Sequence, residues 1–227
     1  MFHSTLLFDL DGTLVDSVEG LHLAGMAAAD EAGAPPPSRE FVRNAIGRGV
    51  DALVHRVASG RLDGCVDSKV HARARARFDE VYAEACLAGT FLRIGVRDAL
   101  REFRGQGRRL VVATNKPRRP ARLVIEHLDL ISSVDALVCP EDAGVRKPDP
   151  AFVLHAIGDG PLNASLLVGD SSIDAETAHR AGIPFIAVRG GYDEGRLIED
   201  RLPVPDRIVD QPRDLLQAVQ SLEVVST

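Results

Sequence analysis

Six short apolar runs, each of a length suited to a buried strand, alternate with helical patterns along most of this chain. The runs are Thr5–Phe8, Arg109–Ala113, Ala136–Cys139, Leu166–Gly169 and Phe185–Val188, with a weaker one at Arg207–Val209. Helical patterns at Arg97–Arg104, Arg118–His127, Pro150–Ile157, Ile173–Ala181 and Arg213–Leu222 separate or follow them. Strands that alternate with helices predict an α/β fold, a Rossmann-like parallel sheet covered by helices on both faces. Ligands of such sheets bind beyond the carboxyl ends of the strands. Chemistry is therefore expected in the residues that directly follow each apolar run.

One interval breaks the alternation. From Asp16 to Gly89 no convincing strand appears, and helical patterns at Ser17–Ala32, Arg39–Ile46, Val50–Ala58 and Asp67–Ala88 fill the gap. Gly33-Ala34-Pro35-Pro36-Pro37 separates the first two, because proline cannot continue a helix. A stretch of roughly 70 residues is too long for a simple connection. It predicts an inserted helical subdomain at 16–89, with the α/β core formed by 1–15 and 90–227.

Bulk properties narrow the setting. At 227 residues, with 45% hydrophobic and 26% charged residues, the chain has the composition of a soluble globular protein. No apolar run approaches the ~18 residues that span a bilayer, so no membrane association is expected. The N-terminus enters a strand without a signal-peptide pattern, which makes a cytoplasmic location the expectation. Cys65, Cys86 and Cys139 are far apart and form no Cys-x-x-Cys, so reduced thiols are expected. A net charge of −6 argues against nucleic-acid binding. That charge is uneven: residues 39 to 77 hold nine Lys/Arg against four Asp/Glu. Such an excess fits either a solvated helical face or a surface that attracts an anion.

The first strand ends in Asp9-Leu10-Asp11-Gly12-Thr13. In an extended chain Asp9 and Asp11 share a face while Leu10 points away. Two carboxylates that close oppose each other's ionisation, and persist where a cation sits between them or one keeps its proton. Gly12 permits a tight turn, and the amides of Gly12 and Thr13 can face an anion. After the second core strand, Thr114-Asn115-Lys116-Pro117 offers a hydroxyl, an amide and backbone N–H groups for a phosphate at a helix start, or simply a helix cap. After the third, Arg146-Lys147-Pro148-Asp149-Pro150 holds a lysine in a proline-stiffened turn, suited to neutralising carboxylates and phosphate oxygens. After the fourth, Gly169-Asp170-Ser171-Ser172-Ile173-Asp174 adds two acids. Asp170 is placed as a metal ligand and Asp174 as a ligand or a partner of one, although both also favour a helix N-terminus. Oxygen ligands of this kind suit Mg2+.

Asp9-x-Asp11-Gly12-Thr13, Thr114, Lys147 and Gly169-Asp170-x-x-x-Asp174 together resemble the four motifs of the haloacid-dehalogenase-like superfamily, in order and spacing. The resemblance covers nearly the whole chain. The helical insert is similar to the cap of the phosphoglycolate-phosphatase-like branch, and Asp16-Ser17, Thr114-Asn115-Lys116-Pro117 and Lys147-Pro148-x-Pro150 strengthen that assignment.

The resemblance implies a Mg2+-dependent phosphatase that hydrolyses a small phosphorylated metabolite, with 2-phosphoglycolate the leading candidate. It assigns Asp9 as nucleophile, Asp11 as acid and then base, and Thr114 and Lys147 as further catalytic groups. Gly12, Thr13, Thr114, Asn115 and Lys147 would hold phosphate. The metal would be held by the Asp9 and Asp170 carboxylates and the Asp11 carbonyl, with Asp174 as ligand or supporting residue. Dehalogenases lack an aspartate at the position of Asp11, since carbon–halogen cleavage leaves no alkoxide to protonate, so its presence favours phosphoryl transfer. Thr13 matches the phosphatase pattern, where related mutases often carry a β-branched apolar residue. Arg48, between Gly47 and Gly49, and Lys116 are the candidates for substrate selection, the arginine through a substrate carboxylate. Other phosphatase activities on sugar phosphates, nucleotides or pyrophosphate, and phosphomutase activity, are the alternatives on the same scaffold. A phosphonatase would need a Schiff-base lysine in the insert, where Lys69 is the sole lysine. A non-catalytic phosphate-binding module is a remote alternative. A monomer or homodimer is expected.

Overall fold

The structure, a computed structural model, describes residues 2–225. Its strands are β1 (Thr5–Phe8), β2 (Val15–Asp16), β3 (Phe91–Leu92), β4 (Arg109–Ala113), β5 (Ala136–Val138), β6 (Ser165–Gly169), β7 (Phe185–Val188) and β8 (Arg207–Val209). Its α-helices are α1 (Val18–Glu31), α2 (Arg39–Ala45), α3 (Val50–Ser59), α4 (Ser68–Ala85), α5 (Val96–Gly105), α6 (Arg118–His127), α7 (Pro140–Ala143), α8 (Pro150–Ile157), α9 (Ser172–Ala181) and α10 (Leu215–Val225). Two compact units emerge: residues 1–16, 92–191 and 196–227 form one, and 17–91 with 192–195 form the other.

The first unit is the α/β core. Six strands lie in the order β5-β4-β1-β6-β7-β8, and each adjacent pair is parallel. Alternate residues of each strand serve opposite faces. Leu7, Val111, Leu167 and Phe185 pack with Phe152, Val153 and Ala156 of α8 and with Ala175 and Ala178 of α9. On the other face Phe8 meets Phe103 of α5, with ring centroids 6.2 Å apart. Both faces are thus covered, and so the strands read as continuous apolar runs. β1 sits centrally between β4 and β6, in register Phe8↔Val112 and Phe8↔Val168. The chain builds outward from β1 through β4 to β5, then returns to β6 on the other side. That reversal leaves a crevice at the carboxyl end of β1, the usual ligand site of such sheets.

The second unit is helical, built from α1 to α4. Leu21, Ala24, Val42, Val54, Val57, Phe78 and Tyr82 form its buried interior. Gly20 lets α1 cross α4 closely, since a Cβ there would run into the Ala85 carbonyl. Helix starts are capped as the sequence allows: Ser38 accepts from the Phe41 amide at 3.1 Å, and Asp67 accepts from the amides of Lys69 and Val70 at 2.9 and 3.1 Å. Cys86 and Cys139 are buried and Cys65 is exposed, and all three are free thiols. No helix of the described residues is long and apolar enough to cross a membrane.

Candidate active site

The carboxyl end of β1 carries the Asp9–Thr13 turn. Gly12 has φ +92, a left-handed conformation that strains other residues, and a Cβ there would collide with the Asp170 carboxylate. Its N–H donates to the Val15 carbonyl at 2.8 Å. The expectation that the Gly12 amide faces an anion is corrected accordingly: the turn uses that donor itself, and the glycine contributes space for Asp170. Thr13 is fully buried, and its hydroxyl donates to Asp170 Oδ1. A Cβ on Gly191, which follows β7, would likewise strike Asp170. Two glycine backbones and a hydroxyl therefore fix one carboxylate beside the end of β1.

Lys147, on the loop between α7 and α8, is the hub of the charged groups. Its side chain is 2% exposed, and Nζ lies 2.6 Å from Asp174 Oδ1 and 2.9 Å from Asp9 Oδ1. Burial alone would lower the ammonium's pKa, but Asp174 and Asp9 overrule it and hold the lysine above its ordinary range. Burial acts the other way on Asp9. It raises that carboxyl to about 6, against the pull of Lys147, with Asp174 and Asp11 adding to the rise. Asp9 Oδ1, although close to the lysine, receives no hydrogen bond of good geometry. Asp174 is satisfied by contrast: besides Lys147, its Oδ2 accepts from the amides of Asp170 and Ser171 at 3.3 and 3.2 Å and from the Ser171 hydroxyl at 2.7 Å. These contacts also cap α9.

The loop after β4 takes a different part from the one its sequence suggests. Thr114 is buried, and its Oγ1 accepts from the Lys116 amide at 3.1 Å. The Asn115 side chain clasps the Lys147 backbone at two points: Oδ1 accepts from the Lys147 amide at 2.9 Å and Nδ2 donates to its carbonyl at 3.0 Å. That amide side chain is thus committed to holding Lys147. Lys116, expected to select substrate, points into the α/β unit, where Nζ lies 2.8 and 2.9 Å from the two oxygens of Asp11. Neither partnership has a sequence signal, because both link residues about 30 or 100 positions apart.

Among the described residues, Asp9, Asp170 and Asp174 bring carboxylate oxygens within 4.8 Å of one another, a grouping able to hold a metal ion. Their chemistry fits a hard divalent cation. Lys116 faces Asp11, and Lys147 faces Asp9 and Asp174.

In the helical unit Arg48 and Arg56 converge on one carboxylate. Arg48 Nε lies 2.9 Å from Glu194 Oε1, and Arg56 also donates to that oxygen. Burial opposes the charge on Glu194, yet the two guanidinium groups hold its carboxyl below the ordinary value. Tyr192 anchors the same loop: its hydroxyl accepts from the Ser17 amide at 2.9 Å, and the Arg43 guanidinium lies 5.1 Å from its ring centre. The basic excess of residues 39–77 is met largely by acids of this unit, with Arg39 on Glu19, Arg73 on Glu31, Arg75 on Asp51 and Asp79, and Arg77 on Glu80.

A family model described as haloacid dehalogenase-like hydrolase matches residues 6–188. The phosphoglycolate phosphatase of Pseudomonas putida is 36% identical over 215 residues, covering 93% of this chain and 78% of that protein. Phosphoglycolate phosphatase 1 of Pseudomonas aeruginosa is 37% identical over 226 residues, covering 97% of this chain and 81% of that protein. Among solved structures, a predicted phosphoglycolate phosphatase from Haemophilus somnus 129PT superposes with a TM-score of 0.86 at 27% identity, over 96% of this chain and 98% of that one.

Proposed function

The chain belongs to the haloacid dehalogenase-like hydrolase family, and on that premise we propose that it hydrolyses 2-phosphoglycolate through an aspartyl-phosphate intermediate. It is a phosphatase by its relatives. The observation that carries the reading is the Asp-x-Asp pair at the end of β1, each carboxylate facing its own buried lysine.

In this mechanism Asp9 attacks phosphorus in line with the departing oxygen. A bond forms from the Asp9 carboxylate to phosphorus as the bond from phosphorus to the substrate alkoxide breaks, and Asp11 gives its proton to that alkoxide. Asp11 then takes a proton from water, whose oxygen attacks the same phosphorus and returns Asp9 as a free carboxylate. Lys147 orients Asp9, so that the chemistry is done by positioning and fixed charge. Thr114, with the backbone N–H of Asn115, is the candidate for holding phosphate oxygens. Asp9 and Asp170 would hold Mg2+, and the Asp9 oxygen that lacks a well-formed hydrogen bond suits that role. Asp174, already filled by Lys147, Ser171 and backbone N–H groups, supports them. Magnesium, when bound, supplies the positive charge that lets an anionic nucleophile meet an anionic phosphate.

Arg48 is our candidate for the substrate's carboxylate. Its present partner, Glu194, is itself a carboxylate, so the guanidinium is organised for that chemistry. The test is phosphate release, with and without magnesium, across phosphoglycolate, sugar phosphates, nucleotides and pyrophosphate, with Asp9→Asn alongside. Magnesium-dependent release that prefers phosphoglycolate and disappears in Asp9→Asn is expected. Equal release across the panel would overturn the assignment of substrate.

A further inference from the structure

Lys116 is an expensive residue to bury. Its side chain is 2% exposed, and an ammonium removed from water is strongly unfavourable unless a counter-charge and hydrogen bonds replace the solvent. The replacement is Asp11, whose two oxygens lie 2.8 and 2.9 Å from Nζ. Both backbones are held by contacts other than the ion pair. Asp11 stands beside the left-handed Gly12, and the Gly12 amide closes the turn onto Val15. Lys116 is pinned by its own N–H to Thr114 Oγ1 and is followed by Pro117, which opens α6. β1 and β4 are parallel neighbours in register, so the lysine spans from one strand end to the next.

An ammonium held against both oxygens restricts rotation about χ1 and χ2 of Asp11. A carboxylate oxygen has two lone-pair sites, so one that accepts from an ammonium can also carry a proton. Lys147 faces Asp9 and Asp174 from the loop between α7 and α8. The two lysines thus divide the Asp-x-Asp pair between them. We propose that Lys116 is a positioning residue for Asp11, which it holds so that one carboxylate oxygen meets the leaving alkoxide and afterwards the attacking water. The proposal rests on the acid and base role of Asp11 given under the proposed function.

Leaving groups separate this role from substrate selection. An alkyl phosphate releases a strongly basic alkoxide and depends on the acid. p-Nitrophenyl phosphate releases a weakly basic phenolate and does not. The rate to follow is the first-turnover release of alcohol or phenol, in the wild type, Lys116→Met, Asp11→Asn and the double variant, with Mg2+ present. General acid catalysis typically contributes 10²–10⁴-fold. Lys116→Met is expected to lose ~10–100-fold on phosphoglycolate and on ethyl phosphate alike, with p-nitrophenyl phosphate changed by less than about 3-fold. In the Asp11→Asn background it should cost almost nothing further, because the lysine acts through the carboxylate. Lys116→Arg should recover part of the loss. Should Lys116→Met fail to fold, the comparison of the double variant with Asp11→Asn, and Lys116→Arg alone, carry the same test.

A raised KM confined to phosphoglycolate, with ethyl phosphate unaffected, would overturn the proposal and return Lys116 to substrate selection. Equal losses on alkyl and aryl phosphates, or losses that add in the double variant, would overturn it too. If Asp11→Asn itself slows both substrates equally, the acid role of Asp11 fails and takes the lysine's role down with it. That outcome is recognisable, since it appears without any lysine variant.

Discussion

The two units handle charge in opposite ways. At the end of β1 the charged groups are buried and bonded to one another: the side chains of Lys116 and Lys147 are each 2% exposed, and Asp174 is fully enclosed. In the helical unit most ion pairs lie at the surface, as with Arg77 and Glu80 at 45% and 70% exposed. A buried charge that loses its partner is left without solvent, whereas an exposed one regains water. Charge density on its own therefore says little. The basic stretch 39–77 is the more conspicuous in the sequence, yet each substitution in the α/β site should matter far more.

The largest contrast is catalytic. Asp9→Asn should lower phosphate release by on the order of 10⁴-fold or more, as loss of a nucleophile does elsewhere. It should leave the fold intact, because Lys147 keeps Asp174 as its counter-charge at 2.6 Å and burial already opposes the charge on Asp9. The check is a steady-state rate beside a urea denaturation curve: unchanged activity would remove Asp9 from the chemistry, and an unfolded protein would contradict the account of its burial. Lys147→Met comes next, and it affects both readings. Removal of one member of a buried ion group typically costs about 3–5 kcal/mol, here because Asp174 and Asp9 would be left facing each other. Asn115→Ala should act on the same lysine more gently. Two hydrogen bonds to its backbone are lost, at about 1 kcal/mol each, and kcat should fall while KM stays near the wild-type value.

Why the α/β unit was so legible in the sequence follows from the same contrast. Residues enclosed on both faces of a parallel sheet have to be apolar, and so β1, β4, β7 and β8 occur at the runs that predict them. Proline and glycine mark the turns that end them. The two-residue strands β2 and β3 carry no such pattern and went unpredicted. In the site, the residue types were readable but their partners were not. Asp9, Lys147 and Asp170 follow strands of one sheet, and strand order brings them together. The clasp of Asn115 on Lys147 and the grip of Lys116 on Asp11 depend on side-chain direction, which a local pattern does not encode. For the Gly12 amide, local turn closure outweighed the anion role that its position suggested.

Among its arginine–glutamate pairs each unit has a carboxyl held below its ordinary pKa, and their pH responses compare the units directly. Burial raises the carboxyl pKa of both Glu223 and Glu194, but Arg108 in the first case and Arg48 with Arg56 in the second bring each below its ordinary value of 4.5. A depressed folded pKa gives stability that is complete above the unfolded value and lost as the pH falls through the folded one. The urea midpoint should therefore fall as the pH drops below about 5, and Glu223→Gln and Glu194→Gln should each flatten that limb. The two should flatten it to a comparable degree, because each carboxylate has one well-enclosed guanidinium partner, Arg108 at 2% and Arg56 at 12% exposed. Equal slopes in wild type and both variants would refute the account.

The smallest expected effect lies on the exposed face of α4, and it bears most directly on the contrast between the units. Arg77 pairs with Glu80 one helical turn away, and both side chains stand largely in water. An exposed pair of this kind gains little Coulomb energy and loses side-chain freedom in forming, so it contributes about 0–0.5 kcal/mol. Arg77→Ala also places the best helix former at a helical position, which offsets part of that loss. Its melting temperature should stay within about 2 °C of the wild type, at low and at moderate salt. If it instead fell as far as that of Lys147→Met, exposure would not be what separates the two units. The basic stretch would then have to be read as an organised electrostatic element of the helical unit, and the anion-attracting alternative for residues 39–77 would gain weight over a solvated helical face.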